Sequence, residues 1–215
     1  MTGTIGTTPN QARRAALIRR ASWLAWFTVV WNIGEGWVAL VAAASAESQA
    51  LVGFGVDSFV ESAAAAVVIW RLRAEQRAPE RAEAVERQAL RIIAVTFFVL
   101  AAMVGLESVR SLVAGEQPNA SFLGIALTAT SLAVMPVLAR AKRSVGRSLG
   151  ARSVEADSRQ TQACVYLSFV VLVGLVLNAA FGWWWADPVA ALGVVAFLVR
   201  EGIETRRAEH VGDCC

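Results

Sequence analysis

Six runs of predominantly apolar residues, separated by short polar segments, extend through nearly the whole chain. Each run is close to the roughly 20 residues that a helix needs to cross the hydrocarbon core of a bilayer. They cover residues 21–44, 51–72, 92–114, 122–139, 160–181 and 183–199. Because hydrophobic residues make up 56% of the 215 positions and charged residues only 17%, no room remains for a separate soluble domain. The pattern predicts an all-α membrane protein, a bundle of six transmembrane helices.

Basic residues lie almost entirely on one side of this bundle. Of the 20 Lys and Arg residues, four lie in 1–20, six in 71–91, six in 140–159 and three in 200–215, whereas 45–50, 115–121 and 183–185 contain none. By the positive-inside rule, both termini and the two longer connections are cytoplasmic. We therefore predict a basic cytoplasmic segment at 1–20, a six-helix domain at 21–200 and a cytoplasmic tail at 201–215, and we expect the plasma (inner) membrane as the location.

The two longer connections differ in their charge patterns. Acids and bases alternate along 71–91, which is typical of a solvated helical connector with i,i+4 ion pairs. The segment 140–159 is more basic, and its expected role is to set the topology and to contact anionic lipid. Glu155 and Asp157 near its end either draw cations towards the bundle or belong to a solvated helix start.

Asp57 and Glu61 lie one helical turn apart inside the second apolar run. An ionised acid at the centre of a bilayer costs about 2.5–3.5 kcal/mol on an insertion scale, so a pair of acids on one helix usually marks an ion pathway. Residues i and i+4 share a helix face, which lets both carboxylates reach a single cation. The alternative is a neutral or hydrogen-bonded pair that fixes helix packing.

Asn32 and Glu35 share one face of the first apolar run. Gly34 and Gly36 flank Glu35 and would allow a neighbouring helix to approach closely. Two interpretations remain open for Asn32 and Glu35: an accessory role in the ion pathway, or a hydrogen bond that helps the helices to pack.

The second apolar run resembles a helix of a known transporter family. Its sequence SQALVGFGVDSFVE, residues 48–61, is similar to the second transmembrane helix of the cation diffusion facilitator (cation efflux) family. In that helix, S-x-A-L is followed by a D/H-x-x-x-D metal motif. On this resemblance, Asp57 takes the first ligand position and Glu61 the second.

The resemblance continues in the fifth and sixth runs. EADSRQTQACVYLS is similar to the family's H-x-x-x-D helix, with Gln160 in place of the His and Cys164 in place of the Asp. The sixth run opens with Asp187 and Pro188, as the corresponding family helix does. No His-rich segment separates the fourth and fifth runs, and we expect a short form that lacks the family's C-terminal cytoplasmic domain.

The resemblance implies a proton-coupled antiporter that exports a divalent transition metal and forms a homodimer. Its metal ligands would be Asp57, Glu61, Gln160 and Cys164. Oxygen donors with one thiolate suit tetrahedral Zn²⁺, while sulfur disfavours Mg²⁺ and Ca²⁺ and leaves Cd²⁺, Co²⁺ and Fe²⁺ open. We expect no prosthetic group, and the exchange of His for Gln predicts an altered affinity or metal preference.

A depth estimate places two of these ligands level with each other. Glu61 lies about 16 Å from the end of the second run at Leu72, at a rise of ~1.5 Å per residue. Cys164 lies about 15 Å from an expected start of the fifth helix near Val154. Both therefore lie at a similar depth in the membrane.

The last residues, HVGDCC, contain the only His of the chain, His210, with Cys214 and Cys215. An imidazole beside two adjacent thiols resembles a small capture site for soft metals on a flexible tail. An inert polar tail is the alternative.

Two other functions remain open on the sequence alone. The first is a non-transporting membrane protein that senses metal or partners with a transporter. The second is a transporter or channel for protons or another small solute, with the buried acids as a relay. An enzyme is not expected, because the sequence shows no Ser/His/Asp or Cys/His arrangement and no phosphate-binding loop, and no segment indicates nucleic-acid binding.

Overall fold

The computed structural model describes residues 9–46, 49–115 and 122–210, which form six helices and, within these ranges, no β-strand. The helices are α1 (Pro9–Ala46), α2 (Gln49–Arg77), α3 (Ala82–Ala114), α4 (Phe122–Leu149), α5 (Arg152–Phe181) and α6 (Ala186–His210), and a short 3-10 turn, Pro79–Arg81, precedes α3. The predicted all-α, six-helix membrane fold is confirmed. By length and composition, α1 to α4 are long and apolar enough to cross a membrane. Membrane crossing by α5 and α6 and the cytoplasmic orientation of the termini stay predictions.

The helices pack mainly in pairs around a shared centre. Helix α1 packs against α2, α3 against α6, and α4 against α5, while α2 also contacts α5 and α1 contacts α4. The buried residues of the bundle include many alanines, among them the fully buried Ala64 and Ala65 of α2 and Ala163 of α5. Small residues let helix backbones approach closely in lipid, where the hydrophobic effect no longer drives association. The four helices α1, α2, α4 and α5 thereby surround one interior region.

Gly36 of α1 and Gly55 of α2 mark a close approach between two helix backbones. A Cβ atom added to either glycine would lie 3.1 Å from the carbonyl oxygen of the other. The expected close contact is therefore confirmed for Gly36, whereas a Cβ atom on Gly34 would have no heavy atom within 4 Å. This contact brings the polar face of α1, with Asn32 and Glu35, beside α2.

The connection at 140–159 is helical for most of its length. Helix α4 continues to Leu149 and α5 begins at Arg152, with Gly150 between them at a left-handed φ of 66°. Because glycine lacks a Cβ atom, it adopts this conformation without strain. The expectation that this segment is a loop that only sets topology and contacts lipid is wrong, since Lys142 and Asp157 within it are 1% exposed.

The connection at 71–91 is helical, as predicted, but it is not solvated throughout. Arg71 forms the predicted kind of i,i+4 ion pair with Glu75 and also pairs with Glu86 of α3, and all three side chains are buried. Glu75 further accepts a hydrogen bond from Arg14 of α1, 3.0 Å long. Glu86 accepts hydrogen bonds from the backbone and hydroxyl of Ser153, 2.6 Å and 3.0 Å long. We call Arg14, Arg71, Glu75, Glu86 and Ser153 the paired cluster; it joins α1, α2, α3 and α5.

Candidate metal-binding site

Polar side chains from α1, α2, α4 and α5 meet inside the bundle. Most other buried residues of the bundle are apolar, so a group of buried polar side chains is unusual here. The group comprises Asn32, Glu35, Asp57, Ser58, Glu61, Ser131, Lys142, Asp157, Thr161 and Cys164, all of them buried. Buried polar groups are normally hydrogen-bonded, and a buried polar group without a partner calls for a functional explanation.

Asp57 and Glu61 lie at the centre of this group, as their i,i+4 spacing predicts. Their exposed fractions are 2% and 0%, and none of their four carboxylate oxygens has a hydrogen-bond partner. The neighbouring hydroxyl of Ser58 does not satisfy them, because it donates to the backbone carbonyl of Phe54 at 3.1 Å. The two acids are thus aligned on one helix face, buried, and without a hydrogen bond of normal geometry.

Helix α5 contributes Cys164 and Thr161 to the same region. The Cys164 thiol faces Asp57 and lies 4.0 Å from the Ser131 hydroxyl of α4. Thr161, one turn earlier, faces Glu61, although neither Glu61 oxygen accepts a hydrogen bond of normal geometry. Cys164 therefore lies level with Asp57 and not with Glu61. One source of the difference is that α5 begins at Arg152, earlier than the start that the depth estimate assumed.

Gln160 is buried beside this region, but its amide is directed towards α3. Its Oε1 accepts a hydrogen bond of 2.9 Å from the Thr96 hydroxyl, and its Nε2 has no partner. In this conformation the atom that would bind a metal is engaged elsewhere. The assignment of Gln160 as a ligand stays a prediction, and it requires the Thr96 hydrogen bond to break.

Helix α1 contributes the polar pair that the sequence places on one face. Asn32 is fully buried and Glu35 is 6% exposed. Both polar atoms of Asn32 and one Glu35 oxygen lack partners. Glu35 lies near Glu61 and near the hydroxyls of Ser58 and Ser131. We call Glu35, Asp57 and Glu61 the acid cluster.

The two acids at the start of α5 have different surroundings. Asp157 is 1% exposed, and its Oδ2 lies 2.9 Å from the Lys142 ammonium. Glu155 is only partly buried and lies 4.0 Å from Arg147, which fits the interpretation of a solvated helix start. Asp157 thus belongs to the buried site and Glu155 to its edge. Cys214, Cys215 and the side chain of His210 lie outside the part of the chain that the structure describes.

The donors do not form a closed metal cage in this conformation. Among the described residues, no three His, Cys, Asp or Glu side chains converge closely enough to hold one ion. Asp57, Glu61 and Cys164 therefore neighbour one another without enclosing an ion.

Sequence reasoning missed four members of the site: Ser58, Ser131, Lys142 and Thr161. Thr161 and Cys164 follow Asp157 by four and seven residues, so all three lie on one helix face. That spacing could have identified Thr161 as a neighbour of the predicted site. Nothing in the local sequence indicates that Ser131 and Lys142 of α4 point towards this same face.

Comparisons with known proteins agree with this architecture. Residues 25–208 match the model of the cation efflux transmembrane domain. An uncharacterized transporter of Synechocystis sp. is 29% identical over 68% of the chain and 49% of its own length. Magnetosome protein MamB of Magnetospira sp. is 25% identical over 83% of the chain and 62% of its own length. The cation-efflux pump FieF of Salmonella typhi is 27% identical over 52% of the chain and 37% of its own length. The chain thus spans less than two thirds of the length of each of these curated relatives.

Proposed function

Because the chain belongs to the cation efflux family, we propose that it is a transporter that carries a divalent transition-metal cation out of the cytoplasm in exchange for protons. The observation that supports this most is the acid cluster. Its Asp57 and Glu61 are buried, aligned on one face of α2 and without hydrogen-bond partners. Unpaired acids inside an apolar bundle are costly for folding and are expected where an ion passes.

The transport cycle follows from the chemistry of these donors. Deprotonated carboxylates of Asp57 and Glu61 bind the metal from the cytoplasmic side, because metal ligands must lose their protons. Protons entering from the opposite side compete for the same oxygens and release the metal. Rocking of α2 against α5 exposes the site to one side and then to the other.

The donor set favours metals that accept both oxygen and sulfur. Asp57 and Glu61 supply oxygen, Cys164 supplies a thiolate once metal displaces its proton, and Gln160 completes the shell if it leaves Thr96. Zn²⁺ is the substrate we favour, with Cd²⁺, Co²⁺ and Fe²⁺ as the other members of the class. We further propose a homodimer in the plasma membrane and a metal-capturing tail formed by His210, Cys214 and Cys215.

Metal uptake into inverted membrane vesicles tests this function directly. We expect wild-type vesicles to accumulate Zn²⁺ when their lumen is more acidic than the medium. Asp57→Ala should reduce the rate of uptake to that of vesicles without the protein. Glu107→Gln is the matched control, because Glu107 is also an acid of an apolar helix but lies outside the site on α3. Equal Zn²⁺, Co²⁺ and Cd²⁺ fluxes in the wild type and in Asp57→Ala would show that the site assignment is wrong.

A second function is favoured by the open arrangement of the donors. Since no three His, Cys, Asp or Glu side chains of the described residues enclose an ion, the buried acids also fit a relay for protons or another small solute. In proteoliposomes, a proton flux that depends on Asp57 but is independent of metal would support the relay. Metal binding without any flux would instead support a non-transporting metal sensor.

A further inference from the structure

Lys142 is the only lysine in the chain. The other 19 of the 20 basic residues are arginines. The single lysine is also one of the largest fully buried side chains, with an exposed fraction of 1%. Lysine is rarely buried in proteins unless it is paired, so its position inside the bundle demands a specific explanation.

The Lys142 ammonium lies among the acids of the site. Its Nζ is 2.9 Å from Oδ2 of Asp157 and donates a hydrogen bond of 2.9 Å to the Thr161 hydroxyl. It is also within electrostatic range of Glu61, to which Asp157 is likewise close. The second Asp157 oxygen has no partner. One cation on α4 therefore faces acids on both α2 and α5.

The choice of lysine over arginine has a physical meaning here. An arginine guanidinium is planar and holds its N–H donors in fixed directions, as in Arg71, which bonds Glu75 through one nitrogen and Glu86 through another. A lysine ammonium is a compact point charge on a flexible stem. It resembles a bound cation in size and charge, and it can leave by rotation of its stem without a change in the backbone.

We propose that Lys142 is a tethered cation that pairs with Asp157 beside the acid cluster in the metal-free state and is displaced from Asp157 when the metal binds next to it at Glu61. This inference rests on the proposed function, because it needs a metal that enters the same site. A metal ion bound at Glu61 would repel the Lys142 ammonium, since like charges repel strongly in a protein interior. Lys142 thereby offsets part of the negative charge of the acids without metal and sets the affinity that an incoming ion must exceed.

Metal affinity of purified protein tests the competition. We expect Lys142→Met to bind Zn²⁺ about tenfold more tightly than the wild type, because its competitor is gone. Lys142→Arg keeps a cation in place and should bind Zn²⁺ no more tightly than the wild type. A purely structural role predicts the opposite pattern: lower thermal stability of Lys142→Met with unchanged or weaker Zn²⁺ binding, which would overturn the inference.

The wild type itself supplies a second test, which needs no substitution of Lys142. Because the chain has a single lysine, Lys142 and the N-terminal amine are the only amines that acetic anhydride can modify, and peptide mapping separates them from each other and from acetylated Cys or Tyr. We expect Zn²⁺ to increase the acetylation of Lys142 severalfold, and to leave it unchanged in Asp57→Ala. Wild-type protein that binds Zn²⁺ with no increase in Lys142 acetylation would overturn the displacement, even if Lys142→Met fails to fold.

The outcomes separate this inference from the function on which it rests. If the wild type and Asp57→Ala bind Zn²⁺ equally, the proposed function fails and the tethered cation fails with it. If Zn²⁺ binding depends on Asp57 while neither the affinity of Lys142→Met nor the acetylation of Lys142 changes as expected, only the tethered cation fails.

Discussion

Helix α2 carries buried acids at two places, and only one of the two places supplies them with ion-pair partners. Glu75, at one end of the helix, pairs with Arg14 and Arg71 in the paired cluster. Glu61 and Asp57 lie about four and five turns away, at ~21 Å and ~27 Å along the axis, and their carboxylates have no hydrogen-bond partner. Both groups are buried to a similar degree.

We interpret the paired acids as stabilising the fold and the unpartnered acids as binding an ion. In the paired cluster, each charge is met by an opposite charge or by a backbone donor, as in the bond from the Ser153 backbone to Glu86. In the acid cluster, three carboxyl groups from α1 and α2 lie close together, and Lys142, although within electrostatic range of Glu61, bonds Asp157 instead. A protein gains nothing in stability from the second arrangement, so its presence points to ion binding.

Arg71→Met is expected to break the paired cluster and to have the largest effect on stability. It leaves the buried carboxylates of Glu75 and Glu86 without their shared cation, and loss of one partner of a buried pair typically costs about 3–5 kcal/mol. The measurement is unfolding of the purified protein in mixed detergent micelles. Arg73→Met is the control, because Arg73 is exposed and stacks on Trp26 at 5.6 Å.

A variant that also removes the charges of Glu75 and Glu86 shows whether the lost stability comes from unpaired buried charge. Arg71→Met combined with Glu75→Gln and Glu86→Gln should recover most of the lost stability, since no unpaired buried charge remains. If Arg71→Met is no less stable than Arg73→Met, the paired cluster is not what holds these four helix ends together.

The same chemical change at the two clusters should have opposite effects. Glu86→Gln removes a charge that Arg71 and Ser153 satisfy and should lower the free energy of unfolding by about 2 kcal/mol. Asp57→Asn removes a charge that nothing satisfies and should raise it by about 1 kcal/mol while abolishing metal flux. The two variants are compared by unfolding and by vesicle uptake. A loss of stability in Asp57→Asn would mean that Asp57 has a structural partner and belongs with the paired cluster.

How far the sequence could predict this molecule depends on whether a feature lies along one helix or between helices. The six helices and the shared face of Asp57 and Glu61 follow from apolar run length and helical spacing. The burial of Lys142 against Asp157 does not, because it depends on the rotation of α4 relative to α5. Local composition predicted that 140–159 sets the topology and contacts anionic lipid, whereas packing of the two helix ends buries Lys142 and Asp157.

Gln160 illustrates the same limit at the level of one side chain. The resemblance predicts a ligand role for Gln160 of the fifth helix, and the structure shows that its side chain is buried. Its amide nevertheless turns to Thr96 of α3, a residue that no motif connects with it. The rotation of each helix determines which neighbour a buried side chain contacts. The spacing of residues along one helix does not give that rotation.

Cys164→Ser gives the smallest expected effect and tests whether the acid cluster recognises soft metals. The thiol faces Asp57, and sulfur ligands favour Cd²⁺ and Zn²⁺ over metals that prefer oxygen. Serine keeps the size and a polar atom but removes the sulfur, so we expect Cd²⁺ to bind about tenfold more weakly, with a smaller loss for Co²⁺. Competition titrations on protein that also carries Cys214→Ser and Cys215→Ser isolate this thiol from the other two. Equal losses for both metals would mean that Cys164 only fills space, and that Asp57 and Glu61 select the ion by charge alone.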